Sequence, residues 1–202
     1  MFKNIIILFS GSFHGRTTGA LSLLGNEKIK QRFGQLLPNI KSLAWNDHVQ
    51  FKNYMEQNDK SVLAIFIEPV QGSGGINLLS KEMSTLIKYY HKKTQFILVC
   101  DEIQSGLGRT GKWFSYQHWG LEPNIVLVGK GLGGGLPLGG AIFSSDVFQN
   151  FEPGDHGSTF APNPISLAGA KVVLGEIPSC LNHIEQTDSF LDDLLHSELG
   201  EV

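Results

Sequence analysis

Four short apolar runs punctuate the chain: Ile5–Phe9, Val62–Ile67, Phe96–Cys100 and Ile125–Val128. Each is rich in β-branched, aromatic or aliphatic residues and bounded by turn signals, which predicts strands buried on both faces, as in a parallel sheet. Helical periodicity falls between them. After Ser80, a candidate N-cap, Met83, Leu86, Ile87 and Tyr90 recur at i, i+3, i+4 and i+7, the signature of a core-facing helix. Asp47–Gln57 predicts a shorter helix with Phe51, Tyr54 and Met55 on one face. His14–Leu24 reads as a helix whose small residues allow close packing, and 25–42 as polar and irregular. Ala141–Phe143 is a short expected strand, Asp146–Asn150 a short helix, and Pro164–Leu174 a further helix rich in small residues. From Pro178 the tail is weakly helical, with the i, i+4 apolar pairs Phe190/Leu194 and Leu191/Leu195. Strands alternating with helices predict an α/β fold, a mostly parallel sheet with helices on both faces.

The third and fourth runs stop at residues with chemistry. Asp101 follows Cys100 directly, and Lys130 comes two positions after Val128. The connection between them is too long for a hairpin, so a crossover joining a parallel pair is expected. Ligands of open parallel sheets bind outside the carboxyl ends of the strands, so a carboxylate and an amine reach one rim. Asp101-Glu102 would also suit a helix cap, and Lys130 a solvated loop. The glycines that follow, Gly131 and Gly133 to Gly135, favour a site, because they permit positive φ and close backbone approach to a ligand. An amine paired with a carboxylate suits pyridoxal phosphate, which needs a lysine and an acid at its ring nitrogen. A competing pattern, Gly106 to Lys112, matches the start of a nucleotide-binding P-loop. It lacks the Ser or Thr that would hold magnesium, since Trp113 stands there.

Composition narrows the class. The chain has 202 residues, 41% hydrophobic and 17% charged, with a net charge of −3. That is enough for one sizeable core and a little more than one domain, and it carries no basic stripe to imply nucleic acid. Cys100 and Cys180 are too few for a disulfide framework, and Cys100 is expected to be a reduced core thiol. The apolar run after Met1-Phe2-Lys3-Asn4 is too short for a signal peptide and is read as a strand. No segment is expected to span a membrane, no metal site is read, and a cytoplasmic location is expected.

Several stretches carry a resemblance: Ser12–Thr17 (SFHGRT), Glu68–Gly75 (EPVQGSGG), Asp101–Val126, Gly129–Gly140 (GKGLGGGLPLGG) and His156–Pro164 (HGSTFAPNP). In this order they resemble the class III pyridoxal-phosphate aminotransferases, most of all the branch acting on N-acetylornithine. The resemblance implies a fold-type I large domain and transfer of an amino group from N-acetylornithine, or a similar ω-amine, to 2-oxoglutarate. Ornithine and 4-aminobutyrate are the alternative donors. It assigns Lys130 as the catalytic lysine that also holds the cofactor, Asp101 to its ring nitrogen and Gln104 to its phenolic oxygen. Phe13 would stack on the ring, and Arg16 would pair with the substrate carboxylate. Ser158 and Thr159 would reach the phosphate, Thr159 that of the neighbouring subunit in a homodimer with shared sites. From the residues alone the phosphate would fall on 131–135. Glu68 joins the hydrogen-bond network or serves structure, and His14 serves structure or supports the site from behind.

Two departures stand out. Ser73 replaces the Glu common in QGEGG, which puts gating of a second substrate-binding arginine in doubt. Phe160-Ala161-Pro162 replaces the usual Tyr-Gly-Gly. Family chains continue beyond both ends of this one, so residues 1–177 are expected to be part of the large domain and 178–202 a divergent helical tail. A truncated, non-catalytic fragment is the alternative function.

Overall fold

The computed structural model describes residues 3–200; Met1 and Phe2 of the signal-like start, and Glu201 and Val202 at the end of the expected tail, lie outside the described residues. The strands are β1 (Ile5–Phe9), β2 (Ile40–Leu43), β3 (Val62–Ile67), β4 (Val70–Gln71), β5 (Asn77–Leu78), β6 (Ile97–Asp101), β7 (Ile125–Val128) and β8 (Gly140–Phe143). Six of them form a sheet in the order β2-β1-β3-β6-β7-β8, and β4 pairs with β5 in a separate ribbon. Neighbours from β2 through β7 run parallel, and only β8 is antiparallel. The α/β class expected from the alternation of elements is the one observed, including the parallel pairing of β6 with β7.

The register explains the core. Ile7 lies opposite Ile65, Ile65 opposite Leu98, and Ile67 opposite Cys100. In-register residues share a face, and this face is sealed: Ile7, Ile65, Ile67, Leu98 and Cys100 are 0–1% exposed. Helices α3 (His48–Asn58) and α4 (Lys81–Thr94) cover it with Phe51, Met55, Met83, Ile87 and Tyr90. Each such large side chain contributes about 1.5–3 kcal/mol on burial. Cys100 is a free, buried thiol, pushed well up by desolvation. The opposite face is half-open, with Ile6, Phe66, Ile97, Ile125 and Leu127 only partly buried.

Both core helices carry the caps that the sequence announces. Asp47 accepts from the Gln50 N–H at 2.8 Å, and the Ser80 hydroxyl accepts from the Met83 N–H at 3.1 Å. Replacing Ser80 with alanine is expected to cost about 1 kcal/mol by urea denaturation, the usual value of such a cap. An unchanged midpoint would show that Ser80 caps nothing in solution.

Three expectations are corrected. The irregular stretch 25–42 contains β2 and a turn of helix, α2 (Glu27–Lys30), capped by Asn26. The expected helix His14–Leu24 shrinks to α1 (Thr18–Ser22), because Gly15 adopts φ 121° and Thr17 is extended. After the one-turn helix α5 (Ser145–Phe148), the two expected C-terminal helical stretches join as α6 (Pro164–Leu199), with Pro178 inside it. Proline removes the hydrogen bond to the carbonyl four residues earlier; that residue, Leu174, is 41% exposed, so water can take over. As one piece, Pro164–Glu198 is long and apolar enough to cross a membrane by length and composition, which the separate stretches were not.

Candidate active site

The carboxyl ends of four parallel strands supply the site. After β1 the chain turns through Phe13, His14 and Arg16; β3 ends at Glu68; β6 ends at Asp101 and continues to Gln104; β7 leads to Lys130. Lys130 opens a 3-10 turn, Lys130–Gly133, and takes φ 46° itself. Left-handed backbone is costly for a side chain of this kind and tends to persist where the surroundings impose it. Here Gly134 closes the turn at φ 59°, and α6 packs onto it so closely that the Gly133 carbonyl leaves no room for a side chain at Gly169. The Lys130 amine donates to the Gln104 side-chain carbonyl at 2.9 Å.

Asp101 is 4% exposed. Its Oδ1 accepts from the Ile103 N–H at 3.1 Å, and its Oδ2 accepts from His14 Nδ1 at 2.8 Å. A carboxylate has lone pairs left after two such bonds. The His14 ring meets Phe66 edge-on at 5.7 Å, and its Nε2 is buried without a partner. Glu68 Oε1 accepts from the Phe13 N–H at 2.7 Å, which ties the β1 loop to the end of β3. Burial pushes the Glu68 carboxyl above the usual range; the Phe13 N–H, His14 and Lys130 oppose that shift, and Asp101 adds to it. The Arg16 guanidinium stands 5.4 Å from the centre of the Phe13 ring.

The Glu68 shift has a defined sign. A carboxyl raised in the folded state contributes stability that is complete below its unfolded value and lost as pH rises through the folded one. Against Glu68→Gln, the wild-type chain is therefore expected to gain stability on acidification from neutral pH toward the ordinary glutamate range. Urea midpoints at a series of pH values check this, and parallel curves would refute it.

Two residues matter more than the sequence indicated. His14 orients Asp101 directly, and the only sequence signal is its place within SFHGRT. Glu102, 1% exposed, accepts four hydrogen bonds: from the Ser105 and Ser115 hydroxyls and from the Ser115 and Tyr116 N–H groups. It pins the loop that carries Gln104. Serines at i+3 and i+13 were the available hint.

A cavity of about 1240 Å³ opens at Lys130 and Gln104, lined also by Gly72, Arg109 and Gly129 and by His183 and Thr187 of α6; Asp101, Phe13, His14 and Arg16 do not line it. Ser158 and Thr159 are not brought in; they sit on an exposed loop. The P-loop-like stretch is not a phosphate loop, since Lys112 leads into the 3-10 turn Ser115–His118 and not into a helix. Among the described residues no cluster of His, Cys, Asp and Glu could hold a metal ion. An exposed amine with an amide beside it, and a buried carboxylate fixed by two donors at the neighbouring strand end, are groups that can hold a carbonyl compound with a basic ring.

Comparison with known proteins agrees with this chemistry. A family model for class-III aminotransferases matches residues 1–201. The acetylornithine aminotransferase of Bacillus subtilis (strain 168) is 40% identical over 199 residues, covering 98% of this chain and 51% of that protein. The Aquifex aeolicus (strain VF5) enzyme of the same name is 37% identical and covers 96% and 51%. The ornithine aminotransferase of Toxoplasma gondii, whose structure shows pyridoxal phosphate at partial occupancy in its active site, superimposes with a TM-score of 0.86 at 30% identity, over 97% of this chain and 46% of that one. The chain thus spans about half the length of the relatives it matches. In sequence and fold, the chain belongs to the class-III aminotransferase family.

Proposed function

We propose that this chain serves pyridoxal-phosphate-dependent amino transfer from N-acetylornithine, or a similar ω-amine, to 2-oxoglutarate. One observation carries the reading: the Lys130 amine meets the Gln104 amide at 2.9 Å, on the rim where Asp101 is held by His14 and Ile103. The donor set fits the ring and aldehyde of the cofactor, with a primary amine at the cavity and a buried carboxylate at the strand end. When bound, pyridoxal phosphate supplies an aldehyde for the amine and a protonated ring that draws electrons from the substrate carbon.

The chain's own residues do the rest. Lys130 Nζ holds the cofactor and, once released, takes and returns the substrate proton as general base and acid. The free lone pairs of Asp101 accept the ring N–H, while His14 and the Ile103 N–H fix the carboxylate in place. The Gln104 amide, already beside Lys130, donates to the phenolic oxygen. Phe13 would stack on the ring, and Arg16 beside it would take the substrate carboxylate by a bidentate pair. Glu68 stays in the hydrogen-bond network through the Phe13 N–H. Ser158 and Thr159 serve the phosphate, Thr159 that of a second copy in a homodimer, which agrees with their exposure in one chain. The tail from Pro178, within α6, follows a partial large domain, in a cytoplasmic protein. Ornithine is the second donor considered, because of the likeness to the Toxoplasma gondii enzyme.

Borohydride reduction with pyridoxal phosphate tests the reading. Peptide mapping is expected to find the pyridoxyl group on Lys130. Label on Lys112 or Lys171, with Lys130 clean, would overturn it.

A further inference from the structure

The turn after β4 presses on Gln104. A methyl group added at Gly72 would lie 2.1 Å from Gln104 Nε2, 2.3 Å from its Cδ and 2.7 Å from its Oε1. Carbon atoms in contact sit about 3.5–4.0 Å apart, so the Gln104 amide occupies the space that a side chain at Gly72 would need. The same amide accepts from Lys130 Nζ at 2.9 Å. The turn is itself anchored. Gln71, 1% exposed, donates to the Ser10 carbonyl at 2.9 Å, the Gly75 N–H reaches the Gly72 carbonyl at 3.3 Å, and Val70-Gln71 pairs with Asn77-Leu78.

Gln104 is exposed, and a free glutamine side chain has several rotamers to choose among. One wall is needed to keep it against Lys130. We propose that Gly72 is that wall, a positioning residue whose missing side chain lets its backbone confine the Gln104 amide against the Lys130 amine. Gly72 is not among the glycines at positive φ, so the position needs glycine for space and not for backbone conformation. The value of this placement for amino transfer rests on the function proposed above; the placement itself does not.

The test uses the whole chain without cofactor. Lys130 is acetylated with limiting acetic anhydride at mildly alkaline pH, and its labelling is read by peptide mass spectrometry against Lys112. Gly72→Ala and Gln104→Ala are each expected to raise the Lys130/Lys112 ratio by about threefold, the scale of an exposed charged contact. The double variant should exceed neither, because both changes remove one contact. A wild-type ratio in Gly72→Ala, or a double variant near the product of about ninefold, overturns the proposal. If Gly72→Ala loses cooperative unfolding, the double variant must regain it, since the three nearest atoms to the added methyl all belong to Gln104; a double variant that stays unfolded overturns it equally. Borohydride trapping of pyridoxal phosphate on the wild-type chain reports on the proposed function alone, so the two readings fail separately.

Discussion

Replacing Glu102 with alanine is expected to destabilise the fold by about 3 kcal/mol or more, the scale for breaking a buried charged network. The carboxylate is 1% exposed and accepts from two hydroxyls and two backbone N–H groups. Alanine leaves all four donors without the acceptor and opens space among them. The serines can rotate toward each other, since the Ser115 hydroxyl already reaches Ser105 Oγ at 3.0 Å. The N–H groups of Ser115 and Tyr116 have no such freedom. Glu102→Gln keeps one acceptor oxygen and should lose less. Urea denaturation of the three proteins decides the matter; an alanine variant within about 1 kcal/mol of wild type would mean that water replaces the carboxylate at little cost.

The largest effect on chemistry is expected at Lys130. In a preparation that forms glutamate from N-acetylornithine and 2-oxoglutarate, Lys130→Ala should lower the rate by at least about 10³-fold, since in the proposed function one side chain would supply both the covalent hold and the proton transfer. Little of that loss should come from misfolding, because Lys130 is exposed and its side chain bonds only to the Gln104 amide among the described residues. Thermal unfolding of the variant at or above the wild-type midpoint would separate the two causes. A rate within tenfold of the parent would remove Lys130 from the mechanism.

The sequence announced those parts of the fold that depend on uninterrupted apolar runs. β1, β3, β6 and β7 lie inside the sheet and leave little room for polar residues. β2 escaped notice because it is an edge strand, IKSL, with Leu43 as its one fully buried residue. Pro178 was a misleading stop signal, because a prolyl position is tolerated where the orphaned carbonyl can meet solvent. At the candidate site, the strand-end positions of Asp101 and Lys130 were legible since each follows the end of an apolar run. The link between His14 and Asp101 was not, because 87 positions separate them and only the β1–β3–β6 order brings them together. Glu102 was hidden by its neighbour: beside an assigned acid, a second reads as a cap.

The left-handed backbone at Lys130 sets what selection on this protein would yield. A non-glycine residue at φ 46° carries a penalty of order 1 kcal/mol, which Gly or Asn at the same position would largely escape. A mutant library sorted for heat tolerance alone should therefore enrich Gly and Asn at position 130 and discard the amine. Sorting the same library for amino transfer should restore it. Divergence of the two pools at this position would mark where folding and chemistry make opposing demands on one residue.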